Sequence, residues 1–103
     1  MDQLTEHELG KQLGIAFGQR LRGVWLFGSE ARGDATADSD IDLLVLLDGP
    51  VRQWQDLGCG IEATYEVSMK LGRPIHPLPV AWGEFDRSDF SLYRTVRKEG
   101  RPL

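Results

Sequence analysis

The sequence predicts an α/β layer fold with a small sheet, its elements running α-β-turn-β-α-β-α. Three observations carry that prediction. Two short, intensely apolar runs, Gly23-Val24-Trp25-Leu26-Phe27 and Asp40 to Leu47, read as buried strands. Apolar residues recur at helical spacing before the first run and again after the second. Pro74, Pro77 and Pro79 mark an extended stretch between two helical segments.

Each element has its own signal. Thr5-Glu6-His7-Glu8 reads as a capping box with Thr5 at the N-cap. Leu9, Leu13, Phe17 and Leu21 then follow at helical spacing. Gly10, Gly14 and Gly18 weaken this helix by about 1 kcal/mol each relative to Ala, and their stripe offers a place for another backbone to approach. The strand over 23–27 ends at Gly28, residues 29–33 form one helical turn, and 34–39 form a loop. Asp48-Gly49-Pro50 stops the second strand, and Pro50 suits the first turn of a helix. Val51, Trp54, Leu57, Ile61, Tyr65 and Leu71 give that helix an apolar face up to Gly72. Cys59 lies in a Gly58-Cys59-Gly60 break and reads as a packing residue. The prolines of 74–80 lack ladder donors, which places that strand at a sheet edge. Ser88 caps a last helix carrying Phe90, Leu92, Tyr93 and Val96, which ends near Gly100. Trp25, Trp54 and Trp82 read as core or interface packing.

One domain spanning 1–103 accommodates all of this. The net charge of -4 argues against a domain that coats nucleic acid, which needs a basic excess. No apolar run approaches the roughly 18 residues of a membrane span, and the first residues resemble no signal peptide. The lone cysteine fits a reducing compartment, so a cytoplasmic location is expected. The charge is uneven. Asp34, Asp38, Asp40, Asp42 and Asp48 straddle the most apolar strand, and Arg87, Arg94, Arg97, Lys98 and Arg101 gather near the end. The basic group reads as a solvated face, or as a docking face for an acidic partner.

The chemistry sits at the start of the second strand. Alternate residues of a strand share a face, so Asp40 and Asp42 project side by side, away from Ile41, Leu43, Val45 and Leu47. Leu44 and Leu46 make even the carboxylate face apolar further along, so the strand is central. Two partly desolvated carboxylates repel each other, and a divalent cation between them offsets that repulsion. Hard oxygen ligands favour Mg²⁺, which commonly takes one or two carboxylates plus substrate phosphates. Gly28-Ser29, at a strand-to-helix corner, lets backbone amides approach a phosphate, with the Ser29 hydroxyl as a further donor. Arg32 either touches phosphate or pairs with an aspartate of the loop.

Gly28-Ser29, ten residues, then Asp40-Ile41-Asp42 resembles the signature of the polymerase-β-like nucleotidyltransferase superfamily. The wider stretch from Leu26 to Gly33, with Ser39 to Leu43, is similar to the minimal nucleotidyltransferases, the MntA-like antitoxins. The segment Leu92 to Gly100 is similar to the last helix of that group. The resemblance implies a mixed sheet flanked by helices in the palm-like fold. It also implies Mg²⁺, with Mn²⁺ as an alternative, and transfer of a nucleoside monophosphate, AMP from ATP, to a hydroxyl. A HEPN-type toxin is the implied partner. Gly28 and Ser29 would hold the triphosphate, and Asp40 and Asp42 the metal. The family's third carboxylate stands on the strand after the long helix, where Arg73-Pro74-Ile75-His76 brings His76 instead. Imidazole is a poor Mg²⁺ ligand, though it can act as a base or bind a softer metal. His76 therefore reads as a structural residue or as a catalytic base. The alternative function is an antitoxin that keeps its nucleotide site and acts by contact alone. Homo-oligomerisation, the nucleobase and the acceptor stay open.

Overall fold

The computed structural model describes residues Met1 to Leu103. Its organising element is the strand β2 (Ile41–Leu47), in which every residue but Asp42 is buried. β1 (Leu21–Phe27) lies antiparallel to it on one side, and β3 (Ile75–Ala81) parallel on the other. A two-residue strand, β4 (Arg101–Pro102), extends the sheet beyond β1, giving the order β3-β2-β1-β4. The sheet is mixed, and the proline-bearing β3 forms its edge as expected.

The alternation of β2 sorts the core into two layers. Ile41, Leu43, Val45 and Leu47 pack with Leu9, Leu13 and Phe17 of α1 (Gln3–Phe17) and Val67 of α3 (Gln53–Leu71). Leu44 and Leu46 pack on the opposite face with Val80, with Phe85 of α4 (Trp82–Arg87), and with Tyr93 and Val96 of α5 (Ser91–Glu99). A short α2 (Ser29–Arg32) follows β1. No helix is long and apolar enough to cross a membrane.

Several local expectations are corrected. Asp2, not Thr5, caps α1: its carboxylate accepts the Thr5 amide at 2.8 Å. Gly18, at φ +58°, ends the helix, so Leu21 begins β1 rather than closing the helical face. A Cβ on Gly10 or Gly14 would meet nothing within 4 Å, so no backbone docks on that stripe. Pro50 precedes α3 instead of lying in its first turn, and α3 runs unbroken through Gly58-Cys59-Gly60. Cys59 packs as expected, half-buried near the Ala16 carbonyl. Ser88 lies outside α5 and accepts the Phe90 amide, and α4 and β4 have no counterpart in the sequence reading.

The largest correction concerns the face of α3. Its buried residues are Asp56, Gly60, Thr64 and Val67. Trp54 is 82 % exposed, and Ile61, Tyr65 and Met69 share that outer face. The reason is steric and electrostatic. A Cβ on Gly60 would sit 3.1 Å from the Pro77 ring, so only a glycine face packs this closely on β3. Arg20 then binds the Asp56 carboxylate at 2.9 and 3.0 Å, which holds that face inward. Trp25 packs with Phe85, whereas Trp82 lies under the Arg22 guanidinium, 4.4 Å from its ring centroid.

Candidate active site

The chain leaves β1 at Gly28, turns into α2, and returns through a loop to the start of β2. Gly28 has φ +73°, a conformation that side chains resist. A Cβ there would lie 2.4 Å from Asp42 Oδ2. The glycine is thus required twice, by its backbone angle and by the carboxylate seated against it. No side chain caps α2, so Ser29 is not its cap. The amides of the first helical turn have no partner within the helix and carry the positive end of its dipole.

Asp42 stands opposite Phe27 on β1 and opposite His76 on β3. Desolvation, reinforced by the neighbouring Asp40 charge, pushes its carboxyl above the usual carboxylate range, with His76 and Arg32 opposing. Asp40 lies one residue before β2. Its Oδ2 is 3.0 Å from His76 Nε2, with the two side chains 52 % and 60 % exposed. A carboxylate can only accept, so Nε2 carries the proton in this contact. Gly28, Asp40, Asp42 and His76 therefore meet at one end of the sheet, with Ser29 opening the adjacent turn. Arg32 points elsewhere: its guanidinium lies 3.3 Å from Asp34 and 3.7 Å from Glu99. Of its two readings, this geometry has the pairing with the loop aspartate.

Behind the site is a set of supporting residues that the sequence reading missed. Arg73, just before β3, donates Nε to the Ser39 carbonyl at 2.8 Å. Its Nη2 also lies 2.7 Å from Glu30 of α2. That approach is oblique, without an aligned hydrogen bond, so the attraction is Coulombic. The Met1 ammonium, 2.5 Å away, and then Arg73 hold the Glu30 carboxyl below its usual range. Arg73 thus ties α2, the approach to Asp40 and the strand of His76 together. A lone arginine before a proline gave no signal of this, because its partners lie 34 and 43 positions away.

Asp40 and His76 lie open to solvent. The largest cavity, about 730 Å³ between α1, β1 and β4, is lined by Glu6, Lys11, Arg22 and Arg101 among others and includes none of the site residues. The basic residues of the C-terminal region are largely engaged within the chain. Arg97 bonds the Phe85 carbonyl at 2.7 Å, Arg94 lies near Asp89, and Arg101 pairs with Glu6.

Comparison with known proteins gives the class to which this mixed sheet and its glycine-serine turn belong. Residues 15–99 match the family model described as nucleotidyltransferase domain, and the chain belongs to that family of transferases. It is 34% identical over 85 residues to "Putative protein adenylyltransferase MJ0604" of Methanocaldococcus jannaschii, covering 82% of this chain and 79% of that protein. The fold is shared with a chain from the complex of tri-AMPylated Shewanella oneidensis HEPN toxin with MNT antitoxin. The TM-score is 0.65 at 20% identity, over 99% of this chain and 71% of that one. A chain from a toxin–antitoxin complex with AMP-PNP gives a TM-score of 0.64 at 21% identity, over 94% and 70%.

Proposed function

We propose that this nucleotidyltransferase moves AMP from ATP to a hydroxyl of a HEPN-type partner protein, with a divalent ion, Mg²⁺ or Mn²⁺, held by Asp40 and Asp42. The observation that carries the proposal is the seating of Asp42 against Gly28. It puts a desolvated carboxylate in contact with the turn whose amides suit a phosphate. That carboxylate, beside a second one, fits a divalent cation by donor chemistry, with substrate phosphates completing the ligand set. When bound, the ion supplies charge neutralisation at the triphosphate oxygens.

The remaining work belongs to the chain's own groups. The amides following Gly28 and the Ser29 hydroxyl orient the triphosphate. The acceptor oxygen attacks the α-phosphorus, the bond to the bridging oxygen breaks, and pyrophosphate leaves. Asp40 and His76, more than half exposed, leave the site open to an incoming acceptor and the proton free to pass to water. The names of the relatives support a protein acceptor and a toxin partner. The exposed Trp54–Ile61–Tyr65–Met69 face of α3 is a better partner surface than the basic end of the chain, whose charges are largely paired internally. Incubation with labelled ATP and Mg²⁺ or Mn²⁺, with and without the protein of the neighbouring reading frame, tests the proposal. Mass spectrometry should find AMP on a hydroxyl side chain of the partner. Bound nucleotide without transfer favours the contact-only antitoxin, a reading supported by His76 standing opposite Asp42 in place of an acid.

A further inference from the structure

We infer that Arg73 is a positioning residue of the transferase site: its guanidinium sets how the Gly28-Ser29 turn stands relative to Asp40 and Asp42. The inference rests on the proposed nucleotide role of that turn and those carboxylates, and concerns what holds the two in register. They belong to different segments, α2 after β1 and the start of β2, and Arg73 reaches both. Its Nε donates to the Ser39 carbonyl at 2.8 Å, and its Nη2 lies 2.7 Å from Glu30 Oε1. Ser39 precedes Asp40 and Glu30 follows Ser29, so one side chain meets each half of the site one residue away.

The base of this strut is held as well. Ser68 of α3 clamps the Arg73 backbone: its hydroxyl donates to the Arg73 carbonyl at 2.7 Å, and its carbonyl accepts the Arg73 amide at 3.3 Å. The Pro74 carbonyl then accepts the Ile41 amide at 2.9 Å. Asp40 is therefore bracketed, with Ser39 held by the Arg73 side chain and Ile41 by the Pro74 backbone. The Arg73 side chain is only 12 % exposed, so packing restricts it to this geometry. The orientation of the guanidinium separates this contact from a pair that serves stability alone. Arg20 meets Asp56 with two aligned hydrogen bonds. Arg73 is aligned on the Ser39 carbonyl instead, which leaves Nη2 and Glu30 Oε1 buried without an aligned partner. A hydrogen bond that would stabilise the buried pair is forgone, and the segment before Asp40 is fixed. A lysine cannot reproduce this, because an ammonium lacks the planar fork that reaches two acceptors in set directions.

The test is calorimetric titration of ATP into the full chain, with Mg²⁺ and with a chelator, beside thermal melting. Arg73→Lys keeps a cation for Glu30 and loses the fork. It should melt within about 5 °C of wild type, the scale of one hydrogen bond in a domain of this size. Its ATP affinity with Mg²⁺ should fall at least about tenfold, the usual cost of removing a group that holds a ligand in place. Its ATP affinity in chelator should not change. The paired variant Arg73→Gln with Glu30→Gln leaves neither charge buried without the other, and it should show the same loss. Asp56→Ala, at the far end of the sheet, controls for stability alone: it should melt lower and bind ATP as wild type does. Wild-type ATP affinity with Mg²⁺ in the Arg73 variants overturns the inference. Equal weakening with and without Mg²⁺, or failure of both variants to fold, also overturns it and makes Arg73 a brace of the fold only. A wild-type chain whose ATP affinity ignores Mg²⁺ overturns the carboxylate reading, and the inference with it.

Discussion

A carboxylate stands near each end of β2, Asp42 within the start of the strand and Asp56 of α3 beyond its far end, and the chain treats them in opposite ways. At the far end, Arg20 closes on Asp56 at 2.9 and 3.0 Å, and its carbonyl accepts the Asp48 amide. The Arg20 guanidinium holds the Asp56 carboxyl below its usual range. At the near end, no lysine or arginine forms an ion pair with Asp42, and desolvation pushes its carboxyl up. A neutralised acid of this kind supports the fold. An acid without an ion-pair partner, seated against a glycine turn, is the one proposed here to take a ligand. The difference separates a structural role from a proposed chemical one at opposite ends of one strand.

The comparison can be broken first at its structural end. Asp56→Ala removes the partner of Arg20 and the acceptor of the Arg52 amide. It should cost about 2–3 kcal/mol in urea unfolding, the scale of hydrogen bonds to charged groups, with screening at the 40 % exposed Arg20 keeping it below a fully buried pair. Nucleotide affinity of the folded variant should not change. Next comes the other end. Gly28→Val drives a Cβ onto the Asp42 carboxylate at a backbone angle that β-branched residues reject. A stability loss of about 1–3 kcal/mol is expected. Loss of nucleotide binding in calorimetry should accompany it, unlike the Asp56 case.

Acid titration sharpens the contrast, because the two carboxyls have opposite signs. The Asp56 contribution is present above the ordinary carboxylate range and is lost as the pH falls through its depressed folded value. The Asp42 contribution is present below that range and is lost as the pH rises through its elevated value. Comparing urea midpoints across acidic pH, Asp56→Asn should flatten the acid loss and Asp42→Asn should steepen the net dependence. The smallest effect belongs to Ser29→Ala, one hydrogen bond worth about 1 kcal/mol in nucleotide affinity and no change in melting. A lower melting temperature with unchanged affinity would make Ser29 a structural residue.

Much of this was readable from residue order, for a physical reason. The Ile41–Leu47 run is apolar on both faces, which dictates a central strand, and three prolines in 74–79 dictate an edge. Gly28-Ser29 and Asp40-Ile41-Asp42 lie on neighbouring strands joined by one loop, so local sequence brings them together. The orientation of α3 was not readable. Its larger apolar residues suggest one face, but the small Gly60 and the Arg20–Asp56 pair select the other. Arg73 and Glu30 escaped for the same reason, since their roles arise only from distant partners. His76 was expected near the carboxylates, and its contact with Asp40 needed the register of β2 against β3.

The central claim is that the uncompensated carboxylate at the mouth of β2 belongs to the nucleotide site. Titration of ATP into Asp42→Asn, with and without Mg²⁺ or Mn²⁺, paired with thermal melting, tests it most directly. Asp42→Asn should melt no lower than wild type at neutral pH, because a desolvated like charge is removed, and it should lose the ion-dependent part of its ATP affinity. A variant that binds ATP with unchanged ion dependence, or that fails to fold, would contradict the account.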